Sequence, residues 1–351
     1  MVFDAIHDRG HEQVSYFQDE ETGLRAIIAV HDTTLGPGLG GTRILDYETE
    51  AEALEDVLRL SGAMTLKAAA ADLDLGGAKA VILGDPDELK SEKLLEAYGR
   101  AVDCLGGRYI TSVDVNSTVE DMDVVKRTTD HVVGTSQGID APSAVTAHGV
   151  LSGIRACADY EYGTDVDDVS VVVQGLGKVG ASLAAELAAR GATVTVSDID
   201  EEAAEAFADE HGVDTVGPDA VYDVPCDVFA PCAVGGVVND ETVDRLQCEI
   251  VAGAANNVLA ERRHAAALAE RGILYAPDYV INAGGLIAVA KELTDGSRAA
   301  AMDEAAAIEG RLREMIDRAD VEGTTVLEAA DAYAIERIER VDRETPAMPD
   351  A

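Results

Sequence analysis

Two textures of apolar residues follow one another along the 351-residue chain. In the first, residues 24–31, LRAIIAVH, read as a buried strand that leads into the turn-rich DTTLGPGLGGTR. Over TEAEALEDVLRLSGAM, Leu54, Val57, Leu58 and Met64 fall at helical spacing, and Thr49 precedes Glu52 by three positions, as a capping box requires. AKAVILGD and YITSVDV (109–115) read as further strands, and APSAVTAHGVLSGIRACADY as a helix.

Beyond that helix the second texture begins. DVSVVVQ is a continuous β-branched run, as expected of a strand covered on both faces. The helix ASLAAELAAR, closed by Gly191, and the strand ATVTVSD follow. CDVFAP, EIVAGA and ILYAPDYVI are strand-like segments that alternate with helical ones, and Met302 to Arg343 reads as helices. Such a βαβ series predicts a doubly wound parallel sheet with right-handed crossovers.

Length supports a division of the chain, because a single hydrophobic core usually stops growing at ~250–300 residues. Acidic residues outnumber basic ones 67 to 27 and give a net charge of −40, spread along the chain. Disorder would explain that charge but not the aliphatic periodicity. The expectation is a surface adapted to concentrated salt, where repulsion is screened within ~3 Å at 1 M. Nucleic acid and anionic membrane are poor partners for such a surface. No signal-peptide pattern and no long apolar span is visible, so a cytoplasmic location is expected. The five cysteines lack a CxxC pair and read as small buried thiols, and no His/Cys/Asp cluster has metal-ligand spacing.

Gly175-Leu-Gly-Lys-Val-Gly180 sits between a predicted strand and a predicted helix, the context that a dinucleotide fingerprint needs. Gly175 permits the tight turn, Gly177 lets backbone approach a pyrophosphate, and Gly180 lets the helix pack on the sheet. Lys178 and Val179 open the helix whose free N–H groups face the phosphates. Asp198 ends the next strand, 23 residues after Gly175. A carboxylate there accepts hydrogen bonds from a ribose 2′-OH and repels a 2′-phosphate, so NAD is expected over NADP.

The chain carries only seven Lys against twenty Arg, yet keeps Lys67 and Lys79 in MTLKAAAADLDLGGAKAVILGD. Arginine does not release its proton in a protein, whereas a partly buried lysine has its pKa lowered towards neutrality. Asp114, in ITSVDVNST, supplies a carboxylate partner at a strand end.

Taken together, GPGLGGTR (36–43), MTLKAAAADLDLGGAKAVI, YITSVDVNSTVEDMD, GLGKVG, AGAANN (252–257) and DYVINAGG (278–285) resemble the amino-acid dehydrogenases of the glutamate dehydrogenase superfamily, closest to the leucine, valine and phenylalanine branch. The resemblance implies that Lys79 is the catalytic lysine, Asp114 the catalytic aspartate, and Lys67 the ligand of the substrate α-carboxylate. It places Thr146 near the nicotinamide carboxamide and Asn256, with Ala254, at the nicotinamide ribose and ring. Asn282 helps hold the substrate. Gly40, Gly41 and Met64 belong to the substrate site, and Leu39, Leu286 and Val289 to the apolar side-chain pocket. Ser112 and Val113 depart from the Ala and Glu of the leucine enzymes.

The implied fold is α/β in two domains. A substrate domain (1–138) is completed by C-terminal helices (321–351), a Rossmann NAD domain (139–320) interrupts it, and catalysis occurs in the cleft between them. The expected reaction is reversible NAD-dependent oxidative deamination of leucine, valine or isoleucine to a 2-oxo acid and ammonia, by a homo-oligomer of two to eight chains. Leu39 stands where glutamate-specific relatives carry a lysine. Phenylalanine remains an alternative substrate, because apolar side chains are discriminated by only ~1–3 kcal/mol per methylene. A non-catalytic NAD-sensing protein is the rival from another class. A 2-hydroxy-acid dehydrogenase would want a His base beside an Arg, and no His stands in such a segment.

Overall fold

A computed structural model describes residues 2–139, 142–294 and 296–344. It resolves into two compact units. One comprises Met1–Ile139, Glu292–Asp295 and Ala334–Ala351, the other Asp140–Lys291 and Gly296–Tyr333.

In the first unit, β1 (Gln13–Asp19), β2 (Leu24–Asp32), β3 (Gly38–Leu45), β4 (Gly76–Leu83) and β5 (Tyr109–Val113) form a mixed sheet in the order β1-β2-β4-β3-β5. β3 runs parallel to both β4 and β5, while β2 is antiparallel to β1 and β4. The apolar run of β2 is explained by helices on both faces. Ile28 and Val30 join Ile44 and Ile82 against Leu94, Tyr98 and Val102 of the Glu92–Asp103 helix. Ile27 and Ala29 join Val81 against Ala53, Val57 and Leu58 of the Glu50–Ala70 helix. Successive residues of a strand point to opposite faces, so a strand covered on both sides has no polar alternation to show.

Three expectations change here. GPGLGGTR continues from its turn into β3, an inner strand, although glycine weakens strands in general. β1 had no place in the sequence reading and forms an edge of the sheet. At the Glu50–Ala70 helix, Thr49 Oγ1 accepts the Glu52 N–H at 3.2 Å, but the reciprocal capping box is found at Thr118 and Asp121 instead. The unit is also tied to its last helix, where Arg337 donates to the Leu73 carbonyl oxygen at 2.7 Å and pairs with Asp74 at 2.8 Å.

In the second unit, β6 (Ser170–Gln174), β7 (Thr193–Ser197), β8 (Asp214–Thr215), β9 (Val228–Pro231), β10 (Ile250–Val251) and β11 (Leu274–Tyr275) pair in parallel throughout, in the order β11-β10-β9-β6-β7-β8. The order reverses direction at β6, which is the doubly wound arrangement. Val172, Phe229 and Val251 pack on one face of the sheet with Leu268 and Ile273. ILYAPDYVI is strand only over its first part. Pro277 has no N–H for the ladder, and Asp278–Ile281 turns into a short helix whose Asp278 carboxylate accepts the Val258 N–H at 2.7 Å. Among the cysteines, Cys157 and Cys248 are buried and Cys226 and Cys232 half-buried, but Cys104 is exposed, which corrects the expectation for that thiol. Among the described residues no helix is long and apolar enough to cross a membrane.

Two histidines are built into the first unit. His11 Nε2 lies 2.8 Å from Ser61 Oγ and 3.1 Å from the Leu58 carbonyl oxygen, on the Glu50–Ala70 helix. His31 Nδ1 lies 2.8 Å from Thr65 Oγ1, and the two rings meet edge to face at 4.7 Å. Burial, and then the neighbouring His31, lower the His11 pKa from 6.5 to about 4. The folded protein therefore resists a proton that the unfolded chain accepts below pH 6.5. His11 adds to stability above that value and loses its contribution as pH falls towards 4, on the order of 3 kcal/mol for a buried group. Replacing His11 by Gln is expected to flatten the fall of Tm between pH 6.5 and 4.5. An unchanged slope in thermal melts followed by circular dichroism would refute this account.

Candidate active site

Lys79 and Asp114 lie on strands that are not neighbours. Lys79 is in β4 and Asp114 directly follows β5, with β3 between the two strands. Adjacent strands lie ~4.8 Å apart, so the two side chains have to reach across the whole width of β3. Gly40 and Gly41 lie on the strand between them. A Cβ at Gly40 would overlap the Ala78 carbonyl oxygen, and one at Gly41 would come within 2.8 Å of Asp114 Cβ. Lys79 Nζ then meets Asp114 Oδ2 at 2.9 Å. Asp114 is held from behind by its own turn, in which its N–H donates to Ser117 Oγ at 2.9 Å and that hydroxyl donates to the Thr42 carbonyl oxygen at 2.7 Å.

Only 7% of the Lys79 side chain is exposed. Burial lowers its pKa, and the attraction of Asp114 offsets this only in part. For Asp114 the balance falls the other way. Burial pushes the carboxyl up, but Lys79 and then Arg43 outweigh it and hold the group below its ordinary range. The arrangement is an ionised carboxylate beside an ammonium group made easier to deprotonate.

Arg43 had no role in the sequence reading. Its Nε donates to the same Asp114 Oδ2 at 3.1 Å, and its Nη1 donates to Asp56 Oδ2 at 2.9 Å. Position gave a signal, because Arg43 closes the quoted GPGLGGTR and stands two residues from Gly41 on the same face of β3. Asp56 gave none, as one acid among 67.

The remaining expected site residues of this unit are Leu39, 1% exposed in β3, and Met64 and Lys67, half-buried and one turn apart on the Glu50–Ala70 helix. Ser112 is buried in β5, opposite Gly41.

The second unit carries the nucleotide motif at the C-terminal end of β6. Its three glycines are under different constraints. Gly175 has a φ of +99° and sits against Ala233, and a Cβ at Gly180 would strike the Gly175 carbonyl oxygen. At Gly177 a Cβ would meet nothing within 4 Å. The Lys178–Arg190 helix begins at Gly177 with no side chain capping it, which leaves its first N–H groups, those of Lys178 and Val179 included, to an anionic ligand. Asp198 follows β7 and accepts the Leu176 N–H at 2.6 Å and the Asp200 N–H at 3.0 Å. Those two bonds lead the causes that keep the carboxyl below its ordinary pKa. An uncapped helix start, an open glycine and an ionised acid at the next strand end fit a dinucleotide with a free 2′-OH.

The same unit brings Asn282, Asn256 and Ala254 together. Asn282 Nδ2 donates to Asn256 Oδ1 at 3.0 Å and to the Ala254 carbonyl oxygen at 3.2 Å. The Gly284–Glu292 helix starts against Val145 and Thr146, where a Cβ on Gly285 would lie 3.2 Å from Thr146 Oγ1. Leu286, buried, and Val289, half-buried, share one face of that helix. Among the described residues no group of three or more His, Cys, Asp or Glu side chains could hold a metal ion.

A doubly wound sheet with this turn is a dinucleotide-binding fold, and the separate mixed sheet carries a buried Lys–Asp pair suited to moving protons. Sequence comparison makes the class specific. Residues 11–133 match the Glu/Leu/Phe/Val dehydrogenase dimerisation domain and residues 200–344 the Glutamate/Leucine/Phenylalanine/Valine dehydrogenase domain, while residues 171–223 also match a TrkA-N domain. The leucine dehydrogenase of Thermoactinomyces intermedius is 48% identical over 96% of this chain and 93% of that one. The phenylalanine dehydrogenase of Caldalkalibacillus thermarum is 45% identical over 97% and 94%. The crystal structure of L-tryptophan dehydrogenase from Nostoc punctiforme superposes with a TM-score of 0.89 at 42% identity, covering 98% of this chain and 100% of that one. The chain belongs to the Glu/Leu/Phe/Val dehydrogenase family and is an NAD-dependent amino-acid dehydrogenase, catalysing oxidative deamination.

The glycine geometry separates folding from cofactor binding. Gly177→Ala is expected to keep its melting temperature while NAD affinity falls about tenfold, equivalent to ~1.4 kcal/mol. Gly180→Ala is expected to lose melting temperature instead. Thermal melts and NADH fluorescence titrations read the two effects, and a Gly177→Ala protein with normal affinity would contradict the assignment.

Proposed function

We propose that the substrates are branched aliphatic L-amino acids, leucine foremost with valine and isoleucine, converted to 2-oxo acids and ammonia. The observation that carries this reading is Leu39, a buried apolar side chain on β3 beside Gly40 and Gly41. It offers no counter-charge, and a buried unpaired carboxylate costs several kcal/mol, so glutamate is rejected. Leu286 and Val289 extend the same apolar character, and the leucine dehydrogenase relative supports it. Phenylalanine is the second reading. A phenylalanine dehydrogenase is nearly as similar, and Ser112 replaces the Ala of the leucine enzymes.

In this reading Lys67 binds the substrate α-carboxylate, and Asn282 is a second residue that helps hold the substrate. The ionised Asp114 takes a proton from the substrate ammonium. Gly175–Gly180, Asp198, Asn256 and Thr146 would hold NAD, which would supply the acceptor for the hydride of the substrate Cα. Lys79, with its pKa lowered, then draws a proton from water as the water attacks the substrate iminium. A neutral Lys79 is needed for that step, so turnover rises with pH and levels off below the usual lysine range. The working form is a homo-oligomer. Support comes from the match of residues 11–133 to a dimerisation domain and from β1, an edge strand carrying the exposed Tyr16.

The test is NADH formation at alkaline pH in molar KCl, with leucine, valine, isoleucine, phenylalanine, tryptophan and glutamate supplied separately and NADP+ in parallel. NAD-dependent turnover led by leucine is expected. Activity confined to phenylalanine or tryptophan would overturn the pocket reading and keep the reaction. Lys79→Arg is expected to lose about 10²–10⁴-fold in kcat. Near-normal turnover of that variant would remove Lys79 from the proton path.

A further inference from the structure

We propose that Arg43 is a positioning residue for Asp114: it occupies one carboxylate oxygen permanently, leaves the other to the substrate, and supplies the charge that keeps Asp114 ionised when Lys79 gives up its proton. The inference rests on the roles of Lys79 and Asp114 given above.

The geometry begins at Asp114 Oδ2. Two donors converge on that single atom, Lys79 Nζ at 2.9 Å and Arg43 Nε at 3.1 Å. The Arg43 hydrogen bond goes to Oδ2 rather than Oδ1. Two cations on one oxygen hold the carboxylate in place, and Oδ1 keeps its acceptor capacity for a substrate ammonium group.

Arg43 is itself fixed. Its Nη1 donates to Asp56 Oδ2 at 2.9 Å, the Tyr47 hydroxyl donates to that oxygen at 2.8 Å, and Arg59 Nη2 donates to Asp56 Oδ1 at 2.8 Å. The Arg43 and Asp56 side chains are 18% and 16% exposed, so little solvent competes for them. The chain runs from the Glu50–Ala70 helix through β3 to the end of β5. Its charged or titratable members are Asp56, Arg59, Tyr47, Arg43, Asp114 and Lys79.

The charge argument follows from the proposed chemistry. Lys79 must be neutral to draw a proton from water, and at that moment Asp114 loses one of its two cations. Burial would then favour the protonated acid, which cannot accept the substrate proton. Arginine does not deprotonate in proteins, so Arg43 remains as a counter-charge through the cycle. It uncouples the ionisation of Asp114 from that of Lys79. Lysine in its place would keep a charge but lose the second arm that Asp56 grips.

The test follows the Asp114 carboxyl itself, by carbon NMR of the full-length protein labelled at its aspartates, with an Asp114→Asn protein to assign the signal, and reads kcat/KM for leucine beside it. A cation within ~4–6 Å lowers a carboxyl pKa by about 1–3 units, so Arg43→Met is expected to raise the Asp114 titration by about 1 unit or more. Arg43→Lys is expected to keep that titration in place while kcat/KM falls. Arg43→Gln stands in for the Met variant if that protein fails to bind NADH or to melt cooperatively. A loss of activity with an unmoved Asp114 titration in both neutral variants would make Arg43 merely structural and overturn the inference. Wild-type protein inactive on every amino acid would instead overturn the reading of the site, and the inference with it.

Discussion

An ammonium group buried in a sheet has to find an anion or lose its proton, because removal from water costs several kcal/mol per ion even after relaxation. Lys79 has one anion within reach, and that anion lies beyond the neighbouring strand. The glycines of β3 are the consequence. Without a Cβ at Gly40 and Gly41, β3 sits close enough to Ala78 and Asp114 for a side chain on β4 to meet a carboxylate after β5. A segment that looks like a turn is a strand because the ion pair needs a thin one. The buried hydroxyls beneath it serve the same end, with Tyr109 donating to the Gly40 carbonyl oxygen at 2.9 Å and Thr42 meeting Thr111 at 2.6 Å. They secure the stretch of β3 where Gly40 and Gly41 have no side chain to pack.

The nucleotide unit solves a different problem with the same residue type. A dinucleotide is bound through backbone, so glycine serves where the ligand approaches and where the turn and the helix press on each other. Gly175 and Gly180 answer to the protein, and Gly177, where a Cβ would meet nothing within 4 Å, is the position left for the ligand in the proposed site. Asp198 is likewise divided. Two backbone bonds fix its carboxylate, which would leave little orientation to be lost if it binds a ribose as proposed.

How much of this was legible depends on how local each feature is. Strands β2, β4, β5, β6, β7 and β9, the Glu50–Ala70 and Pro142–Tyr162 helices, and the strand–turn–helix setting of GLGKVG are written in contiguous residues, and the sequence reading found them. β3 was hidden because glycine signals a turn in isolation and close approach only in company, and the company lies at Ala78 and Asp114. β1 was hidden because QVSYFQD is polar enough for an edge, with no buried face to mark it. The short β8 has only two residues, too few for a period to show. Family resemblance supplied the roles of Asn256 and Asn282, and their direct hydrogen bond is visible only in three dimensions. The Arg43–Asp56 link joins residues thirteen apart across a strand and a helix, and no periodicity announces it.

The choice between the two basic residues completes the picture. At position 79 the chain keeps a lysine although it uses arginine almost everywhere else, and at position 43, against the same carboxylate oxygen, it uses arginine. A pair of lysines would leave Asp114 with two counter-charges, either of which burial can strip of its proton. Two arginines would hold the carboxylate ionised but leave, in the proposed mechanism, no proton to move. One cation that yields and one that does not is the combination that mechanism asks for beside a buried carboxylate. The glycines of β3, the turn behind Asp114 and the anchor at Asp56 are what bring the two cations to one oxygen.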